Sequence, residues 1–141
     1  MQSPLSKLVG VMLITSFLCL ALAAQDTVYE PDVIARFHIN NGKYLIDQEE
    51  FLEAYSEFDT ALAMAQLPAL KAESLALLAQ LSATFLDDPK GALLRYEELV
   101  RNYHNSEFYR PALFQLGLVN FQQGRLEVAR GWLQRFLKEF P

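Results

Sequence analysis

Two apolar stripes separated by a single glycine constrain this chain more than any other feature. In residues 111–141, PALFQLGLVNFQQGRLEVARGWLQRFLKEFP, the positions Leu113, Leu116, Gly117, Asn120 and Phe121 recur at three-and-four spacing. So do Leu126, Ala129, Leu133, Phe136, Leu137 and Phe140. That spacing marks the buried face of a helix. Gly124 lies between the stripes, where a reversal calls for positive φ, and Pro141 stands where a helix cannot continue. The stretch therefore reads as a helical hairpin. Gly117 and Ala129 let its two backbones approach, and Leu133 and Phe136 fill the space beside them.

The same small-residue spacing recurs near the other end of the chain. Gly42 precedes Ala54 by twelve residues, as Gly117 precedes Ala129, and Phe58 and Ala61 fall where Leu133 and Phe136 fall. Residues 31–67 thus form a first unit. Pro31 suits the first turn of a helix carrying Val33, Ile34, Phe37 and Leu45. Asp47 with Glu50 predicts a capping box opening a second helix with Phe51, Ala54, Tyr55, Phe58, Ala61, Leu62 and Ala65 on one side. In residues 68–104, Pro68 opens a long apolar run, and Asp88 and Pro89 are expected to cap and start the next helix. There Ala92, Tyr96 and Leu99 take the places of Ala54, Phe58 and Ala61, while Gln80 stands at the glycine position. Residues 105–141 make the third unit, with Ser106 as its expected N-cap and Pro111 in the first turn or at a kink.

The run Leu116-Gly117, Ala129, Leu133 and Pro141 resembles the tetratricopeptide pattern. It departs from that pattern at Leu113 for the usual Trp and at Asn120 for the usual Tyr, with Phe121 one place late. The resemblance implies an all-α fold of helix-turn-helix repeats stacked as a short right-handed superhelix. It also implies a concave face, lined by the first helix of each pair, that holds a peptide or helix. Carried over by position, that groove would present Arg36, Ile39, Lys43 and Ile46, then Ser74, Leu77, Leu81 and Phe85, then Phe114, Leu118 and Phe121. Such a wall is largely apolar, and a carboxylate clamp would need Asn, Lys and Arg, so the implied occupant is an amphipathic or hydrophobic segment. Val128 and Trp132 lie about 140° and 100° from Leu133 around the last helix, off its core stripe. They are expected to form an end contact with a partner or a second copy.

The 52% apolar content gives the chain enough material for a core, and residues 1–24 are a different kind of segment. Lys7, an uncharged apolar run, and Ala21-Leu22-Ala23 before Gln25-Asp26 have the three-part layout of a secretory signal, with residues 25–30 a short linker. Retained, the run would tether the protein to a membrane. Cys19, the only cysteine, lies inside it, so a chain cleaved there carries no thiol. Residues 25–89 hold 12 acids and 3 bases, net −9, whereas residues 90–141 hold 5 acids and 8 bases, net +3. The net charge of −5 argues against a nucleic-acid partner, and its uneven distribution gives an elongated chain oppositely charged ends.

Residues that carry chemistry are scarce. His38 and His104 lie 66 residues apart with no second ligand at metal spacing, so neither a metal nor a cofactor is expected. Glu49-Glu50, Asp87-Asp88 and Glu97-Glu98 are adjacent acids, which on helices point in different directions, so a small helical hydrolase built on paired carboxylates is the weaker reading. The signal-like layout predicts export, and the third repeat, with its closing Phe140-Pro141, resembles those of bacterial envelope proteins, which implies a periplasmic, non-catalytic adaptor of the cell envelope binding another envelope protein or peptide segment. The alternative is a membrane-tethered assembly factor whose amino-terminal helix is uncleaved.

Overall fold

The computed structural model describes residues 30–141, so the expected signal segment, Cys19 and most of the linker lie outside the described residues. Six helices follow one another: α1 (Pro31–Asp47), α2 (Phe51–Met64), α3 (Pro68–Thr84), α4 (Pro89–Asn102), α5 (Tyr109–Gln122) and α6 (Leu126–Glu139). The described residues contain no strand. The helices pack as three hairpins, α1 with α2, α3 with α4, and α5 with α6. Successive hairpins meet where α3 lies on α2 and α5 on α4, and α1 also touches α3. The all-α expectation and the hairpin pairing are both present.

Two close approaches hold the outer hairpins. A Cβ placed on Gly42 would lie 2.5 Å from Cε1 of the Phe58 ring, and one placed on Gly117 would lie 2.5 Å from Cγ of Leu133. The glycines are therefore seats for a bulky residue four positions beyond each paired alanine, and Ala54 and Ala129 are buried beside them. In the middle hairpin the seat is Ala79, not Gln80. Ala79 is buried in the cluster that holds Ala92 and Tyr96, whereas Gln80 is exposed. The displacement has a simple cause. Four residues connect α3 to α4, against three in each of the other two hairpins, so the register of α3 moves by one.

Each hairpin turn contains one residue of positive φ at the same place, two positions before the second helix: Glu49 (φ 62°), Asp87 (φ 50°) and Gly124 (φ 71°). The next N–H then reaches back over the helix end, Glu50 N to Leu45 O and Arg125 N to Asn120 O, both at 2.9 Å. In the longer turn Asp88 N reaches Ser82 O at 3.0 Å, six residues back instead of five. The expected Asp47–Glu50 capping box is absent. Asp47 is still the last residue of α1, and Glu50 precedes α2 without a side-chain cap, because the left-handed turn at Glu49 occupies the space between them. Asp88 does cap α4, its Oδ1 accepting from Gly91 N at 2.9 Å, and Pro89 opens that helix. Ser106 is not the N-cap expected: Phe108 holds that position without a side-chain cap, Ser106 Oγ instead accepts from Phe108 N at 3.1 Å in the preceding turn, and Pro111 sits in the first turn of α5.

The core runs through the stack in three connected patches. Ala35, Ile39, Ala61, Ala65 and Leu70 join α1, α2 and α3, and Ala54, Phe58, Leu78 and Leu81 join α2 to α3. A larger patch with Leu75, Ala92, Tyr96, Leu99, Tyr109, Leu113 and Leu116 joins the second and third hairpins. Polar clips add direction. Asp32 accepts from the backbone N–H groups of Gln66 and Leu67 at 2.7 and 3.0 Å, tying the link between hairpins to the first turn of α1.

Phe58 is fully buried while Leu133 keeps some exposure, so a methyl group added at Gly42 has less room than one at Gly117. Gly42→Ala is expected to destabilise by about 1–2 kcal/mol, overpacking of about 1–3 kcal/mol outweighing the gain of up to about 1 kcal/mol in helix propensity. Gly117→Ala should be near neutral. Urea unfolding of the two variants checks the order, and Phe58→Leu should recover most of the Gly42→Ala loss.

Burial pushes the Tyr96 hydroxyl up from its ordinary value of 10.0 to about 12. A group whose pKa rises on folding stabilises fully below its unfolded pKa and loses that contribution as pH climbs through the folded value. Tyr96 should therefore contribute to a fall in stability between pH 10 and about 12. Tyr96→Phe should flatten that fall. Thermal melts across the window measure it, and an unchanged alkaline slope would count against the assignment.

Candidate functional site

The register of each first helix decides which side chains reach the face that α1, α3 and α5 share. Aligning Gly42, Ala79 and Gly117 places Ile39, Lys43 and Ile46 of α1 level with Ala76, Gln80 and Ala83 of α3 and with Phe114, Leu118 and Phe121 of α5. The middle set differs from the expectation counted from Gln80. Leu81 and Ser74 are buried, and they belong to the surface that α3 presents to α2. Leu77 is half-buried and packs against the patches containing Ile39 and Phe58. Phe85, though 47% exposed, stacks on Phe51 of α2 with centroids 4.2 Å apart and planes 13° apart, so it closes the junction between two hairpins.

The α1 end of this face is shut. Ile39 is fully buried, covered by α3, and Ile46 is half-buried against the patch of Phe58, Leu78 and Leu81. Lys43 is exposed along its stem, but its Nζ donates to Glu73 Oε1 at 2.7 Å, and Arg36 NH1 donates to Glu73 Oε2 at 2.8 Å. One α3 carboxylate thus holds both α1 cations. A groove wall of Ile39, Ile46 and Leu81 is corrected by these positions, because the close packing of α1 on α3 turns them inward.

The α5 end is open. Phe114 and Phe121 are 43% and 59% exposed, with Leu118 half-buried between them. Level with them on α3 stand the small Ala76 and Ala83, both only partly buried. Phe114 leans on Phe136 of α6 with centroids 5.6 Å apart, and the Arg110 guanidinium lies over the Phe136 and Phe140 rings at 5.9 and 5.3 Å. The result is an apolar shelf with aromatic posts, backed by a cation spread over aromatic faces. Around the corner, Phe121 joins Leu126, Leu133 and Leu137 around a shallow depression of about 390 Å³ above Ala129.

A second concavity, of about 730 Å³, lies between α4 and α6 and was not anticipated from the sequence. Glu97, Arg101 and His104 border it on one side, and Trp132, Arg135 and Glu139 on the other. Three of its polar side chains, Tyr109, Arg135 and Glu139, are joined to one another. Tyr109 Oη donates to Glu139 Oε2 at 2.7 Å and accepts from Arg135 NH2 at 2.8 Å, while Arg135 Nε donates to Glu139 Oε1 at 2.8 Å. The Arg135 hydrogen bond, with help from Tyr109, holds the Glu139 carboxyl below its ordinary value, and burial raises the Tyr109 hydroxyl. These residues come from distant parts of the chain, so only their convergence in space reveals the network. Trp132, expected at an end contact, is half-buried against the large core patch with the Arg135 guanidinium 5.6 Å from its ring. Val128, one turn before Trp132 and about 40° from it around α6, is 49% exposed.

His38 Nδ1 lies 2.6 Å from Glu57 Oε2, joining α1 to α2, and His104 borders the second concavity. Among the described residues no group of three or more His, Cys, Asp or Glu side chains converges as a metal site would require, and no helix is long and apolar enough to cross a membrane. No protein-family model matches this chain, and no curated protein matches it either.

Because Trp132 packs on the core, Trp132→Ala should cost stability, at or below the roughly 3 kcal/mol typical of smaller core-aromatic losses. The check is chemical denaturation followed by far-ultraviolet circular dichroism, since the chain's only tryptophan is lost in the variant. A change of less than about 0.5 kcal/mol, the scale of a free surface residue, would contradict the packing.

Proposed function

We propose that this protein is a non-catalytic adaptor of the bacterial cell envelope that holds an apolar or amphipathic segment of another envelope protein. The tetratricopeptide-like spacing of Gly42, Ala54, Gly117 and Ala129 supports a stack of hairpins used for binding, and the layout of residues 1–24 supports export. The observation that carries the binding reading is the shelf at the α5 end. Phe114 and Phe121 stay open to solvent, level by helix register with the small Ala76 and Ala83, although the chain buries most of the other large apolar side chains of that helix. Rigid aromatic posts lose little conformational entropy on binding, and small neighbours leave room for a partner's side chains.

The occupant this surface fits presents an apolar stripe and carries acidic groups that can approach Arg110. The uncharged run within residues 8–24 keeps the tethered form in view, and the mass of the chain recovered from cells distinguishes it from a cleaved one.

The test is crosslinking in envelope fractions with a photoreactive residue at Gln115 or Gln122, comparing the native sequence with the Phe114→Asp, Phe121→Asp pair. Both substituted positions are exposed enough for the helix content to be retained, which circular dichroism verifies. The expected result is a discrete adduct that the double substitution reduces at least about tenfold, as loss of a central aromatic anchor does. An adduct that persists in the folded double variant would remove this surface from the proposal.

A further inference from the structure

The hairpins are joined by a repeated contact, and both halves of that contact remain uncovered at the two ends of the described stack. On the second helices, Phe51, Tyr55, Phe58 and Leu62 of α2 pack with Leu78 and Leu81 of α3. The corresponding Leu93, Tyr96 and Val100 of α4 pack with Tyr109, Ala112 and Leu116 of α5. Counting from the paired alanines Ala54, Ala92 and Ala129, the same positions on α6 are Leu126, Arg130, Leu133 and Leu137. There Leu126 and Leu137 are 58% and 64% exposed, whereas Val100, level with Leu137, is 5% exposed.

The first helices show the complementary pattern. Leu70, Ser74 and Leu81 of α3 and Ala112 and Val119 of α5 face the preceding hairpin and are buried. Counting from Gly42, Ala79 and Gly117, their counterparts on α1 are Val33, Phe37 and Tyr44. All three are exposed, at 54%, 64% and 60%. A lone α1 with no neighbour on that side would carry polar residues there.

We infer that the outer face of α6 receives the outer face of α1 from a second copy of this chain, head to tail, repeating between molecules the contact that joins hairpins within one. Charge supports this occupant. Residues 30–67 hold 8 acids and 2 bases, net −6, and residues 105–141 hold 3 acids and 5 bases, net +2. The two ends attract each other when joined head to tail and repel when like ends meet. The apolar stripes match as well, with Val33, Phe37 and Tyr44 of one copy against Leu126, Leu133 and Leu137 of the next. Such a contact uses different surfaces on its two sides, so it does not close on itself as a two-fold dimer would, and copies add one after another. It meets the shelf at Phe121, which also rims the depression of Leu126, Leu133 and Leu137, while Phe114 and Leu118 lie outside that depression, so stacking would extend the shelf along an assembly.

The asymmetry gives the experiment. The purified chain, as recovered from cells that express it, is followed by sedimentation velocity while concentration is raised about a hundred-fold. Phe37→Glu removes the α1 side and Leu137→Glu the α6 side, each at an exposed position. The native chain should grow in mass with concentration, and each variant alone should weaken association at least about tenfold. An equimolar mixture of the two variants should form a one-to-one pair, because the intact α6 face of one meets the intact α1 face of the other. Added salt should weaken that pair. A native chain that stays monomeric throughout, association unaffected by either variant, or a mixture that fails to pair would each overturn the inference. Phe114 lies outside the depression that Phe121 shares with Leu137, so photocrosslinking at Gln115 read with Phe114→Asp alone keeps failure of one proposal distinguishable from failure of the other.

Discussion

The fold depends on how closely two helices of one hairpin can approach. At Gly42 and Gly117 the absence of a Cβ admits Phe58 and Leu133 to the backbone of the opposite helix, a contact no larger residue permits without movement. That approach buries Ala54 and Ala129 between the paired helices and leaves Phe51, Tyr55 and Leu62 of α2 to pack toward the next hairpin. Within the molecule, α3 and α5 receive the corresponding faces of α2 and α4. The small-residue seat is thus the reason a hairpin has an apolar outer surface at all, and the same geometry that builds each unit obliges it to find a neighbour.

Turn chemistry governs the register with which those neighbours meet. A left-handed residue lies two positions before each second helix, but only Gly124 occupies it without steric cost. Glu49 and Asp87 adopt it despite their side chains, so the packing of the hairpins outweighs the local preference of the turn. The middle turn accommodates its additional residue ahead of Asp87, and the left-handed position keeps its distance from α4. The consequence appears on α3, where Glu73 comes level with Arg36 and within reach of Lys43 while Ser74 and Leu81 turn inward.

Much of this architecture was legible in the sequence because it rests on periodicity and on side-chain volume. The three-and-four spacing of residues 111–141, the matched glycine-to-alanine intervals, and Asp88-Pro89 all express local rules, and the helices follow them. The surface was less legible. A groove position counted from Gln80 places Leu81 outside, and nothing in the composition of α3 corrects it, since α3 is apolar on nearly every side. Turn length is the missing signal: an insertion of one residue between α3 and α4 is invisible until the ends of both helices are known. The Asp47–Glu50 pair shows the same limit, since its spacing satisfies a capping pattern while Glu49 turns the backbone the other way. The Tyr109–Arg135–Glu139 network joins residues up to 30 positions apart, beyond any local pattern.

The distribution of exposed apolar residues is the observation on which both proposals rest. Scattered single side chains of this kind are ordinary on any protein. Here they fall into register classes instead: Val33, Phe37 and Tyr44 on the side of α1 that later first helices bury, and Leu126 and Leu137 on the side of α6 that earlier second helices bury. Phe114 and Phe121 form a third class, level with Ala76 and Ala83 where the intervening helix has only small side chains. A chain that retained these positions merely as unfilled core would be expected to bury them against its own connecting segments, yet its described links between hairpins are short and polar clips such as Asp32 hold one of them elsewhere. The proposed contacts would cover this apolar area with another helix, and the opposite charges at the two ends would favour the head-to-tail choice among such contacts.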